Sequence, residues 1–339
     1  MKNYFVLFAC CIPVKGHSRS TICDLQRNTF ELIPNILYEI LTEHAHQSMQ
    51  EIFAVYDNQY NEEIQEYMEF LVSKEYGFYS NSPLHFPKIS LDWQTPFSIT
   101  NALIDFDEQS THQLSTIVPQ LSALYCPTIE LRFFYTPTLT ALTENLELFE
   151  DTAFRCIQLI IGYHHDFSAE RLVKLLQKYP RLQNITVHST PVSSINLKIR
   201  SKGIVFTNQK ITSEACCGNI SPYYFTANIS TFTEAQHFNS CLNRKIGIDK
   251  RGYIKNCPSM NKNFGHIDDI PLKQVVENVH FQKLWKVNKD QVLDCQDCEF
   301  RYICYDCRAY VANPNNELSK PAKCQYNPYE ARWEDQVTT

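Results

Sequence analysis

The chain has 339 residues, a hydrophobic content of 44% and a formal net charge of −6 at pH 7. This length suffices for two or three domains with packed cores, and the negative charge argues against a broad basic face for nucleic acid. Only 8 glycines occur, neither GxGxxG nor GxxxxGKS is present, and no apolar run approaches the length of a membrane span. We therefore expect neither a phosphate-binding glycine loop nor a nucleic-acid or membrane partner.

The first twelve residues allow two interpretations. MKNYFVLFACCI loosely resembles a signal sequence, but it has a single lysine as its basic segment, and Phe8 stands where a small residue is expected before a cleaved cysteine. Its alternation favours a strand instead. Together with 14 cysteines in a long chain, this predicts a reducing, cytoplasmic location in which cysteines serve metal better than disulfides.

Residues 1–88 predict a small α+β lobe. Strands are expected at Tyr4–Pro13, Thr21–Leu25 and Thr29–Ile33, followed by helices at Asn35–His46 and Glu62–Glu75. Short strands followed by helices are typical of a winged-helix-like module. An ordinary α+β lobe with no binding role is the alternative.

Residues 89–215 alternate between strand and helix patterns. The predicted strands are Ala102–Phe106, Ile129–Phe134, Ile157–Ile161, Asn184–His188 and Gly203–Phe206. The predicted helices are His112–Leu124, Thr138–Glu150 and Ala169–Lys178, the last with Ser168 as its N-cap. This alternation predicts an α/β fold with a parallel sheet. Four or five such strands are too few for an eight-fold barrel, so we expect a partial, open (β/α) barrel.

Residues 216–339 hold nine of the fourteen cysteines. A hairpin is predicted from Lys245–Asp249 and Tyr253–Lys255, with the turn between them. Apolar periodicity is weak in this segment, so we expect metal binding to order it.

The cysteine spacing points to a metal centre. Four thiols fall within CQDCEFRYICYDC, with two to five residues between neighbours, a spacing at which sulfurs share a centre. One four-cysteine zinc site would leave several cysteines unused, whereas eight thiolates would serve two 4Fe–4S clusters. Within residues 216–339, the cysteines outside that stretch are Cys216, Cys217, Cys241, Cys257 and Cys324.

The array resembles the SPASM domain, the C-terminal extension of many radical S-adenosylmethionine (SAM) peptide-modifying enzymes. Cys241 is followed by ten residues, Gly252, four residues and Cys257, and then by Cys295-x2-Cys298-x5-Cys304. Cys307 and Cys324 complete the motif. One spacing departs from the family, because two residues rather than three separate Cys304 from Cys307.

The resemblance implies a division of ligands between two 4Fe–4S clusters. One cluster would take Cys295, Cys298, Cys304 and Cys324. The other would take Cys241, Cys257 and Cys307, with Cys217 as the first choice of fourth ligand, Cys216 or His237 as alternatives, or an open iron site.

The family's radical chemistry is not expected. Its CxxxCxxC motif should follow the first barrel strand, yet DEQSTHQ follows Ala102–Phe106. The second predicted strand leads into Phe134-Tyr135-Thr136-Pro137, without the paired glycines that grip the methionine amine in the family. We assign no SAM-binding residues and leave open whether the protein is an enzyme.

The whole chain looks like the SPASM maturase of the grasp-with-spasm ribosomal peptide systems, with 1–88 as a PqqD-like lobe, 89–215 as a degenerate barrel and 216–339 as a SPASM domain. The stretches FACCIPVKG, RSTICDLQRNTFELIP and CLNRKIGIDKRGYIKNCPSM carry this resemblance. It implies a precursor peptide, bound through its leader by strand addition, and an ATP-grasp ligase as partners. The alternatives are a redox or unorthodox radical SAM peptide-modifying enzyme and a zinc-binding interaction protein.

Three smaller features have two interpretations each. His164-His165-Asp166 follows a predicted strand, where α/β proteins place sites, so it predicts either a metal or acid–base site or a plain polar loop. Cys126 and Cys156 are expected to be small core residues. Cys10 and Cys11 lie in a predicted strand, one buried and the other exposed.

Overall fold

The structure is a computed structural model that describes residues 3–191 and 195–334. Its described residues group into two units. Unit 1 comprises those within Met1–Gln94, Ile220–Ser240 and Val287–Thr339, and unit 2 those within Thr95–Asn219 and Cys241–Lys286. The division into domains at 1–88, 89–215 and 216–339 stays a prediction.

The strands, in chain order, are β1 (Tyr4–Leu7), β2 (Cys11–Val14), β3 (Ser20–Asp24), β4 (Thr29–Ile33), β5 (Gly77–Ser80), β6 (Asn101–Phe106), β7 (Thr128–Phe133), β8 (Cys156–Gly162), β9 (Leu182–His188), β10 (Ile195–Ile199), β11 (Lys202–Phe206), β12 (Lys245–Ile248), β13 (Ile254–Lys255), β14 (Tyr326–Asn327) and β15 (Arg332–Trp333). The α-helices are α1 (Asn35–Thr42), α2 (Met49–Val55), α3 (Asn61–Ser73), α4 (Leu114–Ala123), α5 (Leu139–Glu147), α6 (Ala169–Lys178), α7 (Ile229–His237), α8 (Leu272–Val276) and α9 (Val279–Gln282).

Unit 1 is built on a three-stranded antiparallel sheet in the order β2–β3–β4. One set of its side chains, including Cys11, Ile22 and Ile33, packs with residues of helices α1 to α3. Another set, including Val14 and Cys23, packs with residues of the cysteine-rich segment. The N-terminal sheet therefore packs against the helices through one set of side chains and against the cysteine-rich segment through the other.

Unit 2 is built on an eight-stranded sheet in the order β10–β11–β9–β8–β7–β6–β12–β13. The six strands from β11 to β12 in this order are parallel, and β10 and β13 add antiparallel edges. Helices α4 to α6 pack on one face through residues such as Ile117, Leu142 and Leu172. The chain is thus a mixed α/β protein with a large, mostly parallel sheet.

The predicted strands of the second segment are confirmed, as are helix Ala169–Lys178 and its Ser168 N-cap, which accepts the Arg171 N–H. The hairpin around Gly252 is confirmed, and its first strand joins the large parallel sheet beside β6. That pairing extends the sheet beyond the four or five predicted strands. The winged-helix-like, partial-barrel and SPASM descriptions stay predictions.

The single strand predicted at Tyr4–Pro13 is wrong. The chain turns between β1 and β2, where the Cys11 N–H donates to the Phe8 carbonyl at 2.9 Å. The helix predicted at Asn35–His46 ends at Thr42, and Pro34 is its N-cap. Helices α2, α7, α8 and α9 and strands β5, β10, β14 and β15 were not predicted.

Candidate metal centres

Five of the predicted ligands lie in unit 1, and we call the four that the resemblance assigns to one cluster, Cys295, Cys298, Cys304 and Cys324, the unit 1 cysteine group. Three of them follow a short backbone turn. The amides of Cys298 and Cys324 donate to the carbonyls three residues before them, and that of Cys304 to the carbonyl four residues before it. The segment has tight turns instead of apolar periodicity. These turns bring its thiols near one another.

A buried lysine lies among these thiols. Lys289 is only 5% exposed. Burial opposes its charge, but the neighbouring Cys304, Cys295 and Asp306 outweigh burial and raise its pKa above the ordinary value. The side chain of Lys289 also hydrogen-bonds Cys304. When the neighbouring thiols ionise, Lys289 therefore presents a positive charge to the unit 1 cysteine group.

A buried ion pair lies behind this lysine. The Arg308 guanidinium contacts the Asp306 carboxylate at 2.6 Å, and the Asn239 amide donates to the same carboxylate at 2.7 Å. Asp306 is fully buried, and burial raises its pKa against the effect of Arg308 and Lys289. One carboxylate thus faces two cations, Lys289 and Arg308, in this part of the described chain.

Burial also raises the pKa of the thiols themselves. The pKa of Cys295 is raised to about 12, and those of Cys298 and Cys304 are raised as well, in each case chiefly by desolvation. Metal-free thiols in this environment hold their protons at neutral pH. A bound metal would displace those protons and replace them with its own charge.

The N-terminal sheet holds the CxxC segment from one side. The Thr21 hydroxyl donates to the Glu299 carbonyl at 3.0 Å, and the Arg19 guanidinium donates to the Glu299 carboxylate at 2.7 Å. Phe30 of β4 packs edge-on against Phe300 with ring centroids 5.5 Å apart. These contacts tie the order of the N-terminal sheet to the order of the cysteine segment.

A second set of predicted ligands lies in unit 2, and we call Cys217, Cys241 and Cys257 the unit 2 cysteine group. The Lys245 Nζ donates to the Cys241 Sγ at 3.4 Å. Burial opposes the charge of this lysine, and Cys241, Cys257 and Cys217 outweigh burial and raise its pKa. Burial also raises the pKa of Cys257, to about 11. This group therefore repeats the arrangement of thiols around a lysine.

The hairpin between Cys241 and Cys257 explains the motif glycine. Gly252 has φ +82°, and a Cβ there would collide with the His266 ring. The Asp249 carboxylate accepts the backbone N–H groups of Arg251 and Tyr253 at 2.9 and 3.0 Å. A side chain other than hydrogen at position 252 would open this turn.

The structure separates the proposed fourth ligands. Cys217 lies within electrostatic range of Lys245 and Cys257, whereas the Cys216 thiol donates to the Lys210 carbonyl at 3.6 Å. His237 belongs to unit 1 and is exposed. Cys307 is also in unit 1 and is 8% exposed, so its assignment to the same cluster as Cys241 and Cys257 stays a prediction.

The spacing of thiols bears on the choice of metal. In a tetrahedral zinc site with bonds of about 2.3 Å, the sulfurs stand about 3.8 Å apart. Within the described part of unit 1, three ligand atoms come within 4.8 Å of one another at Cys10, Cys11 and Asp24, a set that contains no thiol of the unit 1 cysteine group. A 4Fe–4S cluster does not require the thiols to approach so closely, because each thiolate binds a different iron.

The remaining cysteines pack among core residues or lie in a β-strand. Cys126 is fully buried in the core of unit 2, and Cys156 begins β8 half-buried. Cys10 is half-buried and Cys11 is 2% exposed, with their sulfurs 4.0 Å apart. Asp24 beside them accepts hydrogen bonds from the backbone and the side chain of Arg27, which stabilise the β3–β4 turn.

The parallel sheet of unit 2 has a polar face that sequence reasoning missed. Asp105 of β6 and Arg132 of β7 are paired in register and form a bidentate ion pair of 2.6 and 2.9 Å, with each residue less than 5% exposed. Burial raises the pKa of Asp105 to about 6, against the effect of Arg132. A charged residue inside each of the apolar runs ALIDF and ELRFF was the sequence signal from which this buried pair could have been predicted.

Two cavities lie within the units. In unit 1, an apolar cavity of about 530 Å³ is lined by β1, β2, the end of α1 and the segment 83–91. In unit 2, a polar cavity of about 520 Å³ lies at the loop after β6 and the hairpin turn, and it is lined by Asp107, Gln109, Thr111, Lys250 and Arg251. Both are large enough for parts of a peptide or a small molecule.

No protein-family model matches this chain, and no curated protein matches it. Among solved structures, the crystal structure of Streptococcus suis SuiB bound to S-adenosylmethionine is similar at 10% sequence identity and a TM-score of 0.34, covering 94% of this chain and 98% of that chain. A similarity of this size does not establish a shared fold. Within the described residues, no helix is long and apolar enough to cross a membrane.

Proposed function

We propose that the protein is an iron–sulfur protein of the SPASM type that assists maturation of a ribosomally synthesised peptide. The observation that carries the proposal is the pair of cysteine groups, each arranged around a lysine. A buried ammonium is costly unless an anion compensates it. Thiolates bound to a cluster supply that anion, whereas buried neutral thiols do not.

The charges beside Lys289 favour an anionic centre. Among the described residues that interact with Lys289, the carboxylate of Asp306 is also paired with Arg308, so two cations face one carboxylate. A cluster held by the unit 1 cysteine group would neutralise the second cation. In unit 2, the Cys241 Sγ at 3.4 Å from Lys245 Nζ has the same relation to its lysine.

The residues present fit two 4Fe–4S clusters. Cys295, Cys298, Cys304 and Cys324 would hold the first. Cys217, Cys241 and Cys257 would hold the second, with Cys307 as the further ligand that the family resemblance implies. When bound, such clusters supply structural order or electron storage, and the lysines would raise their reduction potentials by stabilising the reduced, more negative state.

The N-terminal lobe offers a strand edge for a peptide. In the three-stranded sheet, β2 and β4 are the outer strands. Pro13 lies in β2 and lacks an N–H, whereas every residue of β4 has one. We therefore place leader binding on β4, where Leu32 is 39% exposed.

The exposed acidic residues of this lobe favour a basic leader. Helix α3 presents four exposed glutamates, namely Glu62, Glu63, Glu66 and Glu69. A basic leader peptide complements them. Its bound, extended segment would gain main-chain hydrogen bonds from β4.

We propose an ATP-grasp ligase as the enzyme that modifies the bound peptide, with the present chain as the peptide-positioning partner. The chain lacks CxxxCxxC, so radical cleavage of S-adenosylmethionine is not expected. Anaerobic incubation of the cluster-loaded protein with a strong reductant and S-adenosylmethionine should yield no 5′-deoxyadenosine. Catalytic formation of that product would contradict this part of the proposal and favour the radical enzyme alternative.

Peptide binding can be tested on β4 directly. Fluorescent peptides that tile the short open reading frames beside the gene should include a basic segment that binds with micromolar affinity. Leu32→Lys should weaken that binding at least tenfold, whereas Val55→Lys, at a 47% exposed position on α2, should leave it unchanged. Equal effects of both variants, or binding by no basic peptide, would overturn the placement.

A further inference from the structure

A compact donor set lies at the carboxyl end of β8. The chain leaves this strand at Gly162 and enters α6 at Ala169. The Phe167 N–H donates to the His164 carbonyl at 2.9 Å, and the Phe167 ring is 2% exposed. The turn ends at the buried Phe167 ring and the Ser168 N-cap, and His164, His165 and Asp166 lie on it one after another.

The three side chains have the separations of a single metal site. His164 Nδ1 lies 3.3 Å and His165 Nε2 lies 3.7 Å from the same oxygen, Asp166 Oδ2. One ligand atom from each residue lies within 4.8 Å of the other two. For metal bonds of about 2.0–2.1 Å, tetrahedral ligand atoms stand about 3.4 Å apart.

The carboxylate is oriented from behind by Arg171. The Arg171 guanidinium donates to Asp166 Oδ1 at 2.6 Å, which leaves Oδ2 facing the imidazoles. The hydrogen bond from Arg171 is also the main reason that the pKa of Asp166 lies below its ordinary value. A partner on the distal oxygen is the kind of support that metal-ligating carboxylates receive in proteins.

We infer that His164, His165 and Asp166 bind one divalent transition-metal ion of the zinc type through two imidazole nitrogens and one carboxylate oxygen. The Asp166 N–H, which donates to His164 Nδ1 at 3.2 Å, gives up that hydrogen bond when the metal binds. The donor set contains no thiol, so it prefers Zn²⁺, Ni²⁺ or Cu²⁺ to a cluster. It is therefore chemically separate from both cysteine groups.

The exposure of the three residues leaves room for a further ligand. The side chains of His164, His165 and Asp166 are 42%, 80% and 46% exposed. Three protein ligands and an open position are the pattern of zinc sites that bind water or a substrate oxygen. The carboxyl edge of a parallel sheet is also where α/β proteins place their ligands. A carboxylate or carbonyl oxygen is the class of ligand that fits the fourth position.

The test uses the full chain with its cysteines loaded anaerobically with iron and sulfide, so that they do not compete for zinc. Histidines are acylated with diethylpyrocarbonate over a range of free Zn²⁺ concentrations, and each modified peptide is quantified by mass spectrometry. Zn²⁺ should protect His164 and His165 at micromolar concentration and leave the exposed His17 and His280 reactive.

Variants distinguish a metal site formed by all three side chains from adventitious zinc binding to exposed histidines. Asp166→Asn should raise the Zn²⁺ concentration for half-protection at least tenfold, and Arg171→Met should raise it by a smaller factor. Glu170→Gln removes an adjacent exposed carboxylate that is paired with Lys174, and it should change nothing. Protection of His280 at the same concentration as His164, or no effect of Asp166→Asn in a variant with unchanged helical circular dichroism, would overturn the inference.

Discussion

Both cysteine groups place thiols around a lysine, but the surroundings of the unit 1 group are more deeply buried than those of the unit 2 group. In unit 1, the lysine and the neighbouring Asp306 and Arg308 are all buried, and the N-terminal sheet covers the CxxC segment. In unit 2, Lys245 is half-buried and Cys217 is exposed. Closed metal sites are typically structural, whereas sites with an accessible position are typically reactive. We therefore propose a structural role for the unit 1 cysteine group. We propose that any exchange with a ligand or an electron donor takes place at the unit 2 cysteine group.

The largest expected effect comes from removing ligands of the closed group. Cys295→Ala/Cys298→Ala should remove about half of the iron and destabilise unit 1 by more than about 4 kcal/mol, because the N-terminal sheet packs on this segment. Hydrogen exchange of the β3 amides measures the effect. Cys241→Ala/Cys257→Ala should remove a similar share of iron and leave β3 protected. Equal loss of β3 protection in both variants would break the comparison.

The lysines provide a second, electrostatic comparison. Lys289→Met and Lys245→Met should each lower the reduction potential of the adjacent cluster, because a positive charge that stabilises the reduced state is lost. The shift should be on the order of 100 mV and larger for Lys289, whose buried charge is screened less. Redox titration followed by EPR measures both shifts. A larger shift for Lys245 would reverse our assignment of the closed and open groups.

The exposed thiol provides a smaller and more local test. Cys217→Ser should speed iron loss in air about severalfold, whereas Cys216→Ser is the matched control, because its thiol hydrogen-bonds the Lys210 carbonyl instead. Bleaching of visible absorbance measures the rate. If Cys216→Ser has the greater effect, the fourth ligand is Cys216 and the accessible position has been misassigned.

The buried pair in unit 2 predicts a pH dependence. The folded-state pKa of Asp105 is raised from 3.8 to about 6, so between these values the native state binds more protons than the unfolded state. The contribution of Asp105 to stability is present below about pH 4 and is lost as pH rises through 6, by at most about 1.4 kcal/mol per pH unit. Urea unfolding of wild type and Asp105→Asn checks it: the wild-type free energy of unfolding should fall relative to the variant over this range. A rise would show that Arg132 holds the Asp105 pKa below its ordinary value.

The sequence predicted strands β6 to β9 and helix α6 of unit 2 well because each carries a local signal. Apolar runs such as Ile157–Ile161 and the serine cap at Ser168 are properties of neighbouring residues. The return of the chain at Lys245–Ile248 to pair with β6 depends on residues more than a hundred positions apart, so periodicity alone could not reveal it. Helix α2 was missed although Ser48 and Glu51 form a capping box, a signal present in the sequence.

For the candidate site, the ligands were predictable and their surroundings were not. Thiol spacing and family resemblance singled out residues such as Cys295 and Cys241. The lysines beside them, Lys289 and Lys245, carry no motif, since a lysine in a polar segment ordinarily lies in solvent. Only the fold shows that these ammonium groups are placed against thiols.

The central claim is that each cysteine group holds a cluster. Iron and acid-labile sulfide should be quantified in anaerobically purified protein, together with EPR of the reduced sample. We predict about eight iron and about eight sulfide per chain, as two 4Fe–4S clusters require, with two overlapping signals of which Cys295→Ala/Cys298→Ala removes one. A colourless preparation with about two zinc ions and little iron or sulfide would contradict the account.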